Sequence, residues 1–194
     1  MKNLIISVFI SISTFSACFG QSENKNIIGV SGGIVIPGHE YTIWLGDDID
    51  GWAKRKVSPI FQLSYAYQIL QHIRVGSYFE YENINFDYDT YLDQHAKRYG
   101  LGINWLACIP ISIIQLQLGG YTGGTYGTSD LPRWTQSMKG FEMGIIVGPA
   151  IEIDKIGFAV NVHSGFAWLF NSSNYPKDVL LLDPKILFKV YYKL

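Results

Sequence analysis

Apolar and polar residues alternate along most of this chain, in runs of roughly ten residues that begin at Asn26. The last run, from Pro184 to Leu194, shows the pattern clearly. Successive side chains of a strand point to opposite faces, so strict alternation predicts a β-strand between two different environments. The apolar face of this last strand carries Ile186, Phe188, Val190, Tyr192 and Leu194.

Eight such runs predict eight strands. They cover residues 26–37, 59–70, 73–86, 95–107, 111–124, 140–153, 156–170 and 184–194. Short and long connections alternate between them, and the long ones cover residues 38–58, 87–94, 126–139 and 171–183. In each run one register is bulky and apolar, whereas the other is rich in small, polar and charged residues. At Pro149 we predict a bulge, because proline cannot donate to a ladder.

The N-terminus has the pattern of a secretory leader. A short positive start is followed by an apolar and Ser/Thr-rich region and by small residues up to Gly20. This predicts a signal peptide over residues 1–20 and a single mature domain over residues 21–194. Residues 15–18 are also a degenerate lipoprotein box, in which Cys18 would become the lipidated first residue. If the leader is removed through Gly20, Cys108 remains alone and no internal disulfide can form.

Composition narrows the class of protein further. Charged residues make up 16% of the chain and the net charge is −1, against roughly 25% charged residues in ordinary soluble domains. A nucleic-acid binder would show a basic excess, which is absent here. Aromatic residues reach 15%, so the chain has ample apolar material to bury, which argues against a disordered protein.

Three features favour a membrane barrel over a soluble, lipocalin-like one. Strands of about 9–11 residues suit a tilted crossing of the hydrocarbon layer. An even number of strands, with short turns at one end and long loops at the other, is typical of outer-membrane barrels. Six strand charges fall in the register opposite the apolar one, namely Arg74, Glu80, Glu82, Arg98, Glu142 and Lys189, which spares about 2–4 kcal/mol for each Arg or Lys near the midplane. The predicted fold is all-β: an eight-stranded antiparallel up-and-down transmembrane β-barrel.

Two sets of residues are the candidate functional positions. An eight-stranded barrel has an interior just filled by side chains, so the charges in the inner register should pair in a buried network that plugs the lumen. Because many inner positions are Gly, a narrow, porin-like channel stays open as an alternative. The predicted lumen network consists of Arg74, Glu80, Glu82, Arg98, Glu142, Glu152 and Lys189. The predicted interfacial aromatic girdles consist of Tyr81, Tyr99, Trp105, Tyr121, Phe141, Trp168, Phe170 and Tyr192.

With this architecture the chain resembles the small eight-stranded bacterial outer-membrane barrels of the outer membrane protein A and X kind. It looks most like the single-domain versions found in Bacteroidetes-type bacteria. The resemblance implies a place in the Gram-negative cell envelope, in the outer membrane, with both termini in the periplasm. It also implies contact with outer-membrane lipid and lipopolysaccharide, and insertion by the barrel-insertion machinery. Such chains commonly end in an aromatic residue, whereas this one ends in Leu194.

Candidate catalytic and metal-binding groups are few. Lipid A deacylase barrels place a His and a Ser two residues apart on one strand face, but His163 and Ser164 are adjacent and should point to opposite faces. The acidic segment 47–51 lacks the spacing of an EF-hand loop, so a solvated loop is preferred over a Ca²⁺ site. We predict no catalytic, cofactor or metal site, and a structural, adhesive or surface-interaction role for the loops. The alternatives are a narrow channel or the barrel of an envelope transport complex and, less favoured, a lipid-modifying enzyme.

Overall fold

The computed structural model of the protein describes residues 26–37, 40–45, 48–88, 94–129, 140–169, 179–181 and 183–194. The predicted signal peptide lies outside these residues. Within them, no helix is long and apolar enough to cross a membrane. The strands are β1 (Asn26–Val35), β2 (Glu40–Leu45), β3 (Asp48–Arg55), β4 (Ser58–Leu70), β5 (Ile73–Tyr88), β6 (Gln94–Ile111), β7 (Ile114–Ser129), β8 (Gly140–Ile153), β9 (Ile156–Leu169), β10 (Val179–Leu181) and β11 (Lys185–Lys193).

Eight of these strands close into one antiparallel barrel. In the order β1, β4, β5, β6, β7, β8, β9 and β11, each strand pairs with the next, and β11 pairs back onto β1. The prediction of an eight-stranded up-and-down barrel is therefore confirmed. Following paired residues once around the barrel from Asn26 leads to Pro184, whose carbonyl accepts a hydrogen bond from the Ile36 amide. The path thus returns to the first strand at Ile36, just after β1 ends and ten residues after Asn26, so the strands are steeply tilted, as a closed barrel requires.

The two ends of the barrel differ. One end, the short-turn end, holds three two-residue turns and both Asn26 and Leu194. Ser112 and Asp154 begin two of these turns with positive φ angles of 58° and 54°, the conformation that two-residue hairpins favour. The other end, the long-connection end, holds the four longer connections. The first of them contains the hairpin of β2 and β3, which the alternation did not predict, and β3 pairs with β5.

The barrel wall separates an apolar outer surface from a mixed interior. On β8, Ile145 faces outward and is 63% exposed, whereas the next residue, Ile146, faces inward and is 2% exposed. The same alternation holds on the other described barrel strands, and away from the turns and connections the exposed large hydrophobic residues lie on the outer face. The apolar register is therefore the outer one, as predicted.

Pro149 fits into β8 without a bulge. The β8–β9 ladder pairs Val147 with Val162 and Ala150 with Ala159, so the register is the same on both sides of the proline. Two residues, Gly148 and Pro149, interrupt this ladder instead. The prediction of a bulge at this position is wrong, because the missing donor is accommodated by a local gap in pairing and no extra residue is inserted.

Candidate functional site

A cluster of charged residues fills the lumen near the long-connection end. This upper cluster consists of Glu80, Glu82, Arg98, Glu142 and Lys185. Arg98 contacts all three carboxylates, at 2.7 Å from Glu80, 3.0 Å from Glu82 and 3.1 Å from Glu142. Lys185 Nζ lies 2.7 Å from Glu80 Oε1 and 3.5 Å from Glu142 Oε1. The three carboxylates and Lys185 are at most 2% exposed, so the cluster is a buried ionic plug.

Barrel closure brings the upper cluster together. Glu80 and Glu82 lie two residues apart on the inner face of β5, and Glu82 pairs directly with Arg98 on β6. Glu142 comes from β8 and Lys185 from β11, which are other parts of the wall. Their side chains therefore meet the β5 and β6 residues in the lumen. Inward-facing charges at similar depth can satisfy one another there, which reduces the cost of burying them.

A second charged cluster lies near the short-turn end. This lower cluster consists of Arg74, Glu152, Tyr191 and Lys193. Arg74 and Lys193 both form salt bridges with Glu152. The Tyr191 hydroxyl donates to Glu152 Oε1 at 2.7 Å, and the Arg74 guanidinium carbon lies 5.2 Å from the centre of the Tyr191 ring. Both oxygens of this single carboxylate are thus occupied by donors.

The predicted role of Lys189 in the lumen network needs correction. Lys189 faces the lumen, but among the described residues no carboxylate lies within salt-bridge distance of it. Its Nζ lies 5.9 Å from the centre of the Tyr191 ring instead. Lys185 and Lys193 pair with the glutamates, each four residues away on β11, or about 13 Å along the strand. The prediction omitted both, although they share the inner face of β11 with Lys189, and this four-residue spacing was the signal that could have revealed them.

Tyrosine rings occupy the space that the inner glycines leave open. A Cβ atom on Gly102 would lie 2.7 Å from the Tyr78 ring, and one on Gly123 would lie 2.8 Å from the Tyr78 hydroxyl. Tyr121 fits over Gly144 and Gly165 in the same way. The glycines are therefore recesses for large side chains and do not line an open pore.

Tyr121 does not belong to an aromatic girdle, and its prediction as a girdle residue is wrong. The side chain is 5% exposed and lies inside the barrel, with its ring stacked on His163 at a centroid distance of 5.3 Å. Tyr121 shares the inner register of β7 with Gln117, which is also buried. Register outweighs residue type here, because a one-residue change of position moves a side chain to the opposite face.

Five of the other girdle candidates, Tyr81, Tyr99, Trp105, Phe141 and Tyr192, lie on the outer face. Tyr81 and Tyr99 are paired across β5 and β6, with ring centres 5.4 Å apart. Tyr126 pairs with Tyr99 on the next strand and is also exposed, although the prediction assigned it to a loop. The outer face also carries Phe141, Trp105 and Tyr192. Trp168 lies on β9 opposite Phe141, and Phe170 lies outside the described residues.

Reactive side chains do not assemble into a catalytic arrangement within the described part of the chain. His163 is buried in the lumen, whereas Ser164 faces the opposite side of β9. Cys108 is a buried free thiol on the inner face of β6. In the acidic segment 47–51, residues 48–51 belong to β3, whereas Asp47 lies outside the described residues.

Similar solved structures share this barrel along nearly its whole length. The crystal structure of Neisserial surface protein A aligns with a TM-score of 0.61 at 10% identity, covering 90% of this chain and 100% of that one. The NMR solution structure of E. coli outer membrane protein W aligns with a TM-score of 0.54 at 13% identity, covering 90% and 100%. The fold is that of the small outer-membrane β-barrels.

A third structure of this fold was determined in a lipid bilayer. The solid-state NMR structure of outer membrane protein AlkL in DMPC bilayers aligns with a TM-score of 0.53 at 11% identity, covering 91% of this chain and 94% of that one. No family model matches the sequence, and no curated protein matches it significantly. At such low identities the similarity concerns the small-barrel fold alone. The narrower resemblance to the outer membrane protein A and X kind, and to the Bacteroidetes type, stays a prediction.

Proposed function

We propose that this protein is an integral outer-membrane protein whose sealed barrel anchors surface-exposed connections. Those connections carry a structural, adhesive or surface-interaction role. The observation that supports this most directly is the filled lumen: the upper cluster is buried, and tyrosines occupy the recesses of the inner glycines. A barrel closed by its own side chains leaves the loops as the parts that meet partners.

The membrane location rests on the outer surface. A continuous outer face of large aliphatic and aromatic residues would be unfavourable in water but suits a lipid environment. In this arrangement the short-turn end and both termini face the periplasm. The outer face contacts lipid and lipopolysaccharide, and the barrel-insertion machinery assembles the protein. We expect the folded protein to stay in the envelope fraction and to migrate differently on SDS gels with and without boiling. Recovery as a soluble periplasmic protein without such a shift would contradict the proposal.

The runner-up is a narrow channel, or the barrel of an envelope transport complex. Single-channel recording in planar bilayers separates this function from that of a sealed anchor. We expect no steps of conductance above the bare-bilayer background for the purified, refolded protein. Reproducible channel openings that depend on the amount of folded protein would favour the runner-up.

We also propose that the protein has no enzymatic activity. The adjacent His163 and Ser164 lie on opposite faces of β9, so they cannot act together as base and nucleophile. Mass spectrometry of lipid A from cells with and without the protein tests this directly. We expect identical lipid A species, and a change in acylation that depends on the protein would refute the proposal.

A further inference from the structure

Three polar side chains lie side by side in the lumen, between the two charged clusters. Ser31 on β1 pairs with Gln62 on β4 and, on its other side, with Lys189 on β11. Directly paired residues point to the same face of a sheet, with Cα atoms about 4.5–5.5 Å apart. The three side chains therefore form one row on the inner wall, which we call the central polar row.

Each member of the central polar row offers a donor that no described residue accepts. Ser31 Oγ and Gln62 Nε2 are buried without a hydrogen-bond partner in the described part of the chain, and these residues are 1% and 3% exposed. Lys189 has no carboxylate within salt-bridge distance there, as described above. A buried donor without an acceptor, such as Ser31 or Gln62, is destabilising. Glu80 pairs with Gln62 and has one carboxylate oxygen without a partner, but it makes no hydrogen bond to Gln62 Nε2 in this arrangement. The row therefore has donors whose acceptor is not among the contacts of the described residues.

The surrounding charges favour an anion over a water molecule as that acceptor. Glu152 already accepts from Arg74, Tyr191 and Lys193, so its carboxylate is not available to Lys189. Together with Lys189, the described part of the lower lumen therefore holds three cations and one carboxylate. A water molecule would satisfy the donors but would leave this excess positive charge uncompensated.

The stem of Lys189 lies close to the barrel wall. Lys189 points inward yet is only half-buried, so its remaining exposed surface faces the lumen. A Cβ atom on Gly29 would lie 2.7 Å from Lys189 Cε. The lysine stem therefore leans over Gly29 towards the short-turn end, which displaces the ammonium group from Ser31.

We infer that the central polar row binds one small inorganic anion of the halide class, held by Lys189 Nζ, Ser31 Oγ and Gln62 Nε2. A single ammonium group and two neutral donors match one negative charge. The site adjoins the upper cluster, because Gln62 pairs with Glu80, whose Oε1 already contacts Arg98 and Lys185.

Anomalous diffraction from crystals of the full-length protein grown in sodium bromide would locate the ion directly. The expected result is a bromide peak in the lumen within hydrogen-bonding distance of Lys189 and Ser31. An empty row, water alone at this position, or Gln62 donating to a rotated Glu80 carboxylate would overturn the inference.

Halide titration of the folded protein in micelles gives an independent readout. Bromide should raise the unfolding temperature relative to gluconate at equal ionic strength, because a ligand that binds only the folded state stabilises it. The increase should be lost in Lys189→Met and kept in Lys97→Met, which changes an exposed lysine on β6. Ser31→Ala keeps the charge and should bind bromide roughly tenfold or more weakly, since it removes one hydrogen bond to a charged ligand. If Lys189→Met does not fold, Ser31→Ala still tests the site, because it leaves Lys189 in place. Equal bromide responses in wild type and Ser31→Ala or Lys189→Met would refute the site.

Discussion

Removing Arg98 should be among the most damaging single changes in the barrel. Arg98 is the one described residue that contacts all three carboxylates of the upper cluster. In Arg98→Met, Lys185 would be the remaining cation of the cluster, facing three buried carboxylates. Breaking a buried ion pair by removing one partner costs about 3–5 kcal/mol. We expect a loss of about 4 kcal/mol, which changes the folding equilibrium roughly a thousandfold.

Urea unfolding of the protein in lipid vesicles, followed by tryptophan fluorescence, measures this loss. Lys97→Met is the matched control, because Lys97 is the neighbouring residue on β6 and is exposed. Its effect should stay within about 0.5 kcal/mol. Arg98→Lys keeps the charge but loses the planar fork that reaches several carboxylates, so it should fall between wild type and Arg98→Met. Adding Glu82→Gln to Arg98→Met should recover part of the loss, with a coupling of about 0.5–3 kcal/mol.

The reasoning would be refuted by an Arg98→Met protein that unfolds at the wild-type urea concentration, alongside an unchanged Lys97→Met control. Such a result would mean that water or a rearranged Lys185 compensates the three carboxylates at little cost. The upper cluster could then no longer be regarded as a rigid seal, and the channel alternative would gain support.

Two further pairs of variants test the wall and the lumen packing. Ile145→Arg places a charge on the outer face of β8 and should lower the free energy of unfolding in vesicles by about 2–4 kcal/mol. Ile113 lies at a turn tip and is 79% exposed, so Ile113→Arg should lower it by about 0–1 kcal/mol. Equal costs in urea unfolding would contradict the assigned membrane position. Gly157→Ala would push a methyl group into the Tyr191 ring and should destabilise the barrel by about 1–3 kcal/mol. Gly32→Ala, with open space around its new Cβ, should change stability by less than about 0.5 kcal/mol. The stabilities of Gly157→Ala and Gly32→Ala can be compared on SDS gels, by heating the samples first and following the loss of the folded band.

Much of the fold could be predicted because its main signal is local. Alternation places neighbouring residues on opposite faces whatever the tertiary partners are. The outward direction of Ile145 and the inward direction of Glu142, both on β8, follow from this rule. Strand number and the division into short and long connections follow from where the alternation stops. The hairpin of β2 and β3 was missed because its residues lie in a polar segment without a sustained apolar register.

The aromatic residues show where residue type misleads. Tyr121 and Tyr99 have the same side chain, and both are predicted girdle residues. The structure places Tyr99 outside and Tyr121 inside, since Tyr121 has the register of the buried Gln117. The alternation on β7 indicates this inward direction, and it outweighs the preference of tyrosine for membrane interfaces.

The sequence by itself determined which residues face the lumen and which face outward, because that choice depends only on the two-residue repeat of a strand. Only the tertiary structure decided which charges meet. Lys185 reaches Glu80 from a position 105 residues away in the chain, whereas Lys189, on the same face of the same strand, reaches no described carboxylate. Depth along the lumen depends on how far the tilted strands are staggered when the barrel closes. Since pairing of buried charges depends on a few ångströms of that depth, it emerges only when the eight strands come together.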